Sequence, residues 1–463
     1  PTTIRKEDNM KKQLTGRSMF LFCLGDFSRA IFNGLTATYL MYIFIPQSTS
    51  SLPLLLPYGA LTFAAIRGVG VIFDALIDPF IASKSDNCKH RLGARVPFLR
   101  YASLPMALFA VLMVFMPVNS QSWINAVWLL AMLLLYNFFS SLFLVPYYAL
   151  IAELVTDTKR RVFFSTINTL LFVLGSAVIY VTPIIKNALL SAGMSEIAAW
   201  RCAFLVFGIV GGACAFISSF SIKEDEYVER SAGYVPLGES LRATFRYKNF
   251  VILLVGYMLM WIAFSFFNST LMYYVTMLLG LSDSYAVIIM AIAMIVGVLS
   301  YPLVNILAKK VGKKPLLIGA CIAYVIIYLG IYFSAAVINA IGALATGILI
   351  GALIGFPISI TNIIPVAAFS DLAQYDTIKT GENRAAMFVA SRNLLHQLSQ
   401  AIVLFIVPLT ITGSVVEGSA NYEGVRTTAL IAAGFIAAAL VFYVFYEDKK
   451  ITGVIDEYNA THK

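Results

Sequence analysis

Hydrophobic and polar positions in this chain alternate over stretches of about 20 residues, the length an α-helix needs to cross a bilayer, rather than with the short period of amphipathic soluble helices. Twelve apolar cores lie between polar punctuation, at 18–45, 58–83, 98–117, 124–151, 162–186, 200–222, 250–279, 285–307, 316–334, 341–365, 384–412 and 427–446. Each predicts a spanning helix. The longest polar interruption, Lys223 to Asn249, follows the sixth core and divides the pattern into two halves of six. The expected organisation is a tail over 1–17, a first six-helix bundle over 18–222, a linker over 223–249, a second bundle over 250–446 and a tail over 447–463.

Charge gives these spans a direction. Of the 33 Lys and Arg, 25 fall in the N-terminal tail, in the loops after even-numbered spans, or in the C-terminal tail, and Arg100 and Arg384 lie at the adjoining ends of the third and eleventh spans. Basic loops are retained on the cytoplasmic side, so both termini are expected inside a multi-pass inner or plasma membrane protein. The net charge of +9 is then a topological bias and calls for no nucleic acid partner. Composition agrees: 60% of the residues are apolar and 12% charged, against roughly 25% charged in soluble chains. A soluble enzyme is excluded on that ground. The five cysteines (Cys23, Cys88, Cys202, Cys214, Cys321) and three histidines (His90, His396, His462) have no metal-ligand or disulfide spacing. No HExxH, GxSxG or phosphate-binding loop suggests an enzyme or ATP as energy source.

The ionisable groups inside spans are the informative ones, because each costs ~2.5–3.5 kcal/mol even on the lenient insertion scale. Asp26, Arg29 and Asn33 form one stripe of the first span, where Asp26 and Arg29 either neutralise each other or bind substrate. Arg67, Asp74 and Asp78 stack on one face of the second span, with the two carboxylates one turn apart. Carboxylates that close repel unless a cation or a shared proton lies between them; alternatively Asp74 pairs with Arg67 and Asp78 caps a helix end. Arg392 and His396 lie four apart in the eleventh span, where Arg392 either meets substrate or bonds groups of a neighbouring helix. Uncharged polar residues sit mid-span as well: Asn137, Ser140 and Ser141 in the fourth, Thr166, Asn168 and Thr169 in the fifth, and Asn268, Ser269 and Thr270 in the seventh. Gly355 and Pro357 suit a bent tenth helix lining a cavity. Both halves also carry a short basic turn between their second and third spans, Ser83 to Arg95 and Ala308 to Pro315, a weak internal repeat of the kind found in two-bundle transporters.

Several segments together resemble the glycoside–pentoside–hexuronide:cation symporter family of the major facilitator superfamily. They are LGDFSRAIFNGLTATYLMYIF in the first span, FDALIDPF (Phe73 to Phe80), RLGARVPF, VPYYAL (Val145 to Leu150) and DLAQYDTIKTGENR (Asp371 to Arg384). The resemblance implies an all-α membrane protein of the major facilitator fold, with twelve transmembrane helices in two six-helix bundles, a cation site at Asp74 and Asp78, and alternating access. It also exposes departures. Aligned on YLMY, the sugar-binding aspartate of the family's melibiose permease falls on Ala30, its fourth-span aspartate on Leu144 and its sugar-stacking tryptophan on Tyr148. Its fifth-span arginine falls near Thr169 and its eleventh-span lysine near Leu398, so the carboxylate pair persists while the galactoside site does not.

The expected function is Na⁺- or H⁺-coupled symport of a sugar, glycoside or uronide, with no enzymatic activity and no cofactor beyond the coupling ion. Asp74 and Asp78 would hold the cation (Na⁺ as the metal), with Ser140 or Ser141 adding neutral oxygens. Substrate contacts are expected from Asp26, Arg29, Asn33, Arg67, Tyr148, Thr169, Asn268, Arg392 and His396. The loop 371–384, with Asp371, Tyr375, Lys379 and Arg384, would latch one side. The expected partners are a small-molecule solute, the coupling cation and the lipid bilayer, with the chain acting as a monomer. The DAxxDP element and the SKS and RLG stretches after it are also similar to sodium-coupled lysolipid transporters, which keeps a lysophospholipid or other anionic or zwitterionic amphiphile as the alternative cargo.

Overall fold

The computed structural model describes residues 14–46, 50–86, 88, 90–154, 158–227, 247–380, 385–412 and 422–461. The N-terminal tail through residue 13, the linker centre at 228–246 and Arg384 lie outside them. The described residues are helical with short connections and contain no strand.

In chain order the helices are α1 (Gly16–Gly34), a π-helical turn (Leu35–Tyr39), α2 (Leu40–Phe44), α3 (Gly59–Asp86), α4 (Val96–Leu112), α5 (Trp123–Glu153), α6 (Thr158–Val178), a 3₁₀ turn (Ile179–Val181), α7 (Thr182–Ser191), α8 (Glu196–Phe220) and α9 (Glu224–Tyr227). There follow α10 (Lys248–Tyr273) with a π-helical turn (Tyr274–Leu278), α11 (Tyr285–Val311), α12 (Lys313–Tyr332), α13 (Ser334–Ile341), α14 (Ala343–Thr380), α15 (Ala385–Ile411), α16 (Tyr422–Phe445) and α17 (Asp448–Thr461). Ten helical stretches among the described residues are long and apolar enough to cross a membrane. The first predicted span is the broken run Gly16–Phe44, and the third is the shorter apolar α4. Helix starts follow local chemistry: the Thr15 hydroxyl accepts from Ser18 N at 3.2 Å and the Ser122 hydroxyl from Ile124 N at 3.2 Å, each satisfying an amide that has no partner inside the helix.

Two compact units are present, Pro1–Leu40 with Val69–Gly233 and Met41–Gly68 with Tyr234–Lys463. In the first, α1 packs against α6 and α8, and α4 against α5 and α8. In the second, α10 packs against α15 and α16, α12 against α14 and α16, and α11 against α14. Residues 41–68 sort with the second unit because its Tyr273 hydroxyl donates to the carbonyls of Met41 (3.1 Å) and Ile45 (2.8 Å), while the Tyr42 and Tyr273 rings meet at 5.1 Å.

The segment 371–384, expected as a loop, is helical as far as Thr380: α14 runs 38 residues and extends well past the predicted span end at 365. Between Pro365 and Gly381 the chain has neither Pro nor Gly, so propagation continues after hydropathy falls. Nor do Gly355 and Pro357 interrupt it; Pro357 and Pro365 both lie within one continuous helix.

The repeated basic turns acquire a structural partner in each unit. In the first, the buried Glu224 carboxylate accepts from the amides of Ala94 (3.0 Å), Arg95 (2.7 Å) and Val96 (3.0 Å), at the start of α4. In the second, buried Asp448 accepts from Lys313 N (2.9 Å) and Lys314 N (3.2 Å), at the start of α12. Both turns contain a glycine in the left-handed region, Gly93 at φ +103° and Gly312 at φ +88°. The third helix of each half is thus pinned by an acid that follows the sixth, an arrangement that hydropathy does not reveal.

Candidate functional site

The first unit gathers two polar clusters along α5. On α3, Ile72, Leu76 and Phe80 form an exposed apolar stripe. Asp74 and Asp78 are each two residues further on, about 200° around the helix, so they face away from that stripe. Both are half-buried. Ser141 of α5 hydrogen-bonds the Asp78 carboxyl, while Asp78 Oδ1 is wholly buried and has no hydrogen-bond partner among the described residues. One turn before Ser141, the Asn137 amide donates to the Gly70 carbonyl at 3.0 Å and holds α3 against α5. Of the two serines expected near the carboxylates, Ser141 meets Asp78. Among the described residues, no group of three or more His, Cys, Asp or Glu is arranged to hold a metal ion, so a cation here would rest on two carboxylates with neutral oxygens.

The second cluster centres on Asp26 of α1, which is buried. Its Oδ1 accepts from Arg29 Nε (2.5 Å) and from the Tyr148 hydroxyl (2.8 Å), and its Oδ2 accepts from Asn168 Nδ2 (2.8 Å). The Tyr147 hydroxyl donates to Asn168 Oδ1 at 2.9 Å, which fixes the amide orientation. The Arg29 guanidinium lies 4.2 Å over the Phe172 ring and 5.6 Å from the Tyr148 ring, and 26% of its side chain remains accessible. Tyr148 has its hydroxyl tied down and 41% of its surface exposed. The stripe from the first span is therefore an ion pair with its cation turned outward. From the fifth span it is Asn168 that joins the cluster; Thr169, the neighbouring residue expected as a contact, is exposed. Asn33 is half-buried further along α1. Ser141 and Tyr148 are seven residues apart on α5, so the two clusters attach to one helix face about 10 Å from each other.

The second unit holds the remaining expected contacts. Arg67 is buried on the first part of α3. The His396 ring of α15 stands edge-on to Trp261 of α10, with centroids 4.3 Å apart, and Arg392 lies within electrostatic reach of Tyr257. Ser399 Oγ donates to the Met258 carbonyl at 3.0 Å and joins α15 to α10. Asn268 bonds the Phe264 carbonyl of its own helix at 3.2 Å. Trp261 and Tyr257 were not singled out by the sequence, because an aromatic residue in a span carries no local mark separating a ligand contact from packing. At the far end of α14, Asp371 forms an ion pair with Lys313, Tyr375 stacks on Tyr247 at 5.6 Å, and Lys379 lies 5.8 Å over the Tyr375 ring.

A family profile described as MFS/sugar transport protein matches residues 21–450. The chain belongs to that family. Among curated relatives it is 23% identical over 449 residues to the lactose permease of Lactobacillus helveticus, covering 93% of this chain and 69% of that one. It is 23% identical over 472 residues to the glucuronide carrier protein homolog of Escherichia coli (strain K12), covering 98% of both. The structure is similar to the nucleoside transporter NupG, with TM-score 0.62, 13% identity and coverage of 93% of this chain and 98% of the other. It is also similar to a D-xylose-proton symporter, with TM-score 0.60, 14% identity and coverage of 94% and 98%. These two likenesses show the fold. The resemblance to glycoside–pentoside–hexuronide:cation symporters and the all-α major facilitator fold expected from the sequence both hold. As a member, the chain is a multi-pass membrane transporter and not an enzyme.

Proposed function

We propose that the chain is a cell-membrane symporter that couples a cation, Na⁺ or H⁺, to the movement of a saccharide by alternating access, with both termini in the cytoplasm. The observation that carries the coupling is the state of Asp78. Ser141 hydrogen-bonds its carboxyl, and the buried Oδ1 meets no donor among the described residues. A buried acceptor left in that state is costly unless something positive reaches it. The Asp74–Asp78 spacing supplies a second carboxylate one turn away, and carboxylate and hydroxyl oxygens suit a hard cation as well as a proton.

The saccharide reading is supported by the relatives, which are named as lactose, glucuronide, isoprimeverose and raffinose carriers. On this chain, Tyr148 offers an exposed aromatic face beside Arg29, a combination suited to a sugar ring bearing hydroxyls or a carboxylate. Trp261, His396 and Arg392 form a comparable aromatic and cationic group in the second unit. An acidic saccharide fits this bias better than a neutral one, and the glucuronide carrier homolog is matched over nearly its full length. None of these relatives is named as an amphiphile carrier, so the lysolipid alternative rests on the likeness of the DAxxDP element and the SKS and RLG stretches.

Reconstituted vesicles test the proposal. An imposed Na⁺ or proton gradient should drive accumulation of a β-glucuronide or galactoside. Asp74→Asn and Asp78→Asn should each abolish gradient-driven accumulation while substrate binding persists. Undiminished accumulation in both variants would remove the coupling assignment, and uptake confined to lysophosphatidylcholine would remove the saccharide.

A further inference from the structure

We propose that the outer groove between α4 and α8 is a binding site for one anionic phospholipid, with an acyl chain in the groove and the phosphate on Arg100. The groove has a volume of about 450 Å³, within the ~300–1,000 Å³ of ordinary small-ligand sites. Its lining is apolar throughout. The floor exists because two glycines allow the helices to touch. A Cβ on Gly208 would lie 2.1 Å from Val111 Cγ2, and one on Gly212 would lie 2.8 Å from Ala107 Cβ. The walls are Leu104 and Leu108 of α4 with Ile209 and Phe216 of α8, all exposed. In a membrane-spanning chain such a channel is filled by hydrocarbon, since water there would face no polar partner.

The two ends of the groove decide which lipid. The contacts Val111 with Gly208 and Ala107 with Gly212 make the helices antiparallel, so Arg201 lies beyond one end and Arg100 beyond the other. Arg201 spends its donors on protein: Nε on the Val114 carbonyl (3.1 Å), and Nη2 on the Met116 carbonyl (3.4 Å) and Asn119 Oδ1 (3.3 Å). Among the described residues, Arg100 gives only Nε to the Ser219 carbonyl, at 3.4 Å, and rests its guanidinium 4.3 Å over the Phe220 ring. Phe220 in turn meets Phe216, a groove wall, at 4.6 Å. A continuous path therefore runs from the apolar channel across two aromatic rings to a guanidinium with terminal donors to offer. Arg100 is the fifth residue of α4, about 6 Å from the helix start, which suits a phosphate at the level where lipid head groups begin. Arginine presents parallel N–H donors that match phosphate oxygens, whereas a choline head group brings its own cation up to the guanidinium.

Native mass spectrometry of the purified full chain, with dioleoylphosphatidylglycerol or dioleoylphosphatidylcholine added to the detergent, tests this. One phosphatidylglycerol should be retained per chain with a preference of about tenfold, the amount one charge-assisted contact supplies. Arg100→Gln should abolish the preference, Arg100→Lys should keep part of it, and Ala213→Trp, which fills the groove, should lower phosphatidylglycerol retention while Arg100 is intact. Millimolar inorganic phosphate should not displace the lipid. Equal retention of both lipids by the unaltered chain would overturn the proposal. So would a preference that survives both Arg100→Gln and Ala213→Trp, competition by phosphate alone, or a dimer that Ala213→Trp dissociates. If Arg100→Gln fails to fold, the comparison of Arg100→Lys with Ala213→Trp decides.

Discussion

Glu224 is the residue whose removal should be felt furthest from where hydropathy would place importance. Its carboxylate accepts three consecutive amides, Ala94, Arg95 and Val96, at 3.0, 2.7 and 3.0 Å. Those amides open α4, where helix geometry provides no internal acceptor. Hydrogen bonds to a charged group are worth ~1.5–3 kcal/mol each, and the loss of a neutral helix cap alone costs ~0.5–2 kcal/mol. Three bonds to one carboxylate do not add independently, and water recovers part of the loss once the amides are exposed. Glu224→Ala should therefore cost about 2–4 kcal/mol locally. Glu224→Gln retains one acceptor oxygen but brings N–H groups against N–H groups, and should cost almost as much. The assay is amide hydrogen exchange in detergent or nanodiscs, followed on peptides covering 90–100. At ~1.4 kcal/mol per tenfold, protection of the three amides should fall about 30- to 1,000-fold, while α10 and α16 in the other unit keep theirs. Gly93→Ala should reproduce the effect. It places a side chain at φ +103° and a Cβ 2.3 Å from Glu224 Oε2, so the turn and the acid cannot both keep their positions. Unchanged protection in Glu224→Ala would show that the carboxylate only decorates a turn held by other contacts.

Other outcomes follow from the same geometry. Asp448→Ala, which removes an acceptor shared by two amides rather than three, should loosen the start of α12 less than Glu224→Ala loosens α4, as measured on the corresponding peptides. Asp26→Asn leaves the Arg29 cation without its carboxylate and should cost ~3–5 kcal/mol. The double variant with Arg29→Gln should recover much of that in a thermal-unfolding cycle, and strict additivity would refute the pairing. If Asp78 meets Na⁺, NaCl in place of choline chloride should raise the unfolding temperature of the unaltered chain, through a stabilisation of up to about 2.7 kcal/mol at a hundredfold excess over Kd, and Asp78→Asn should abolish that rise. Lys450, with Asn249, holds the exposed Glu447 carboxyl below its ordinary value of 4.5. Its small contribution is present above the unfolded carboxylate range and is lost as pH falls through the folded value, so its carboxyl ¹³C shift should titrate lower than that of Glu447 in the Lys450→Ala variant.

The positions of ten of the spans and the Asp74–Asp78 spacing were legible in the chain itself. Hydropathy sums over a local window and a helix fixes the angle between residues four apart, so neither quantity depends on what packs alongside. The end of α14 was not legible by that route, because falling hydropathy marks where lipid stops and not where the helix stops. Asn168 against Thr169 shows the finer limit. Both are polar, adjacent and mid-span, and they differ by about 100° of helix rotation; only the packing of α6 on α1 turns Asn168 onto Asp26 and leaves Thr169 exposed. Trp261 meeting His396, and Glu224 reaching 130 residues back to Ala94, are likewise contacts between segments distant in the chain. Local sequence determined which segments enter the bilayer, because transfer into lipid is a property of each segment alone. Tertiary structure decided which polar groups meet, because that depends on the rotation and register of helices packed against one another.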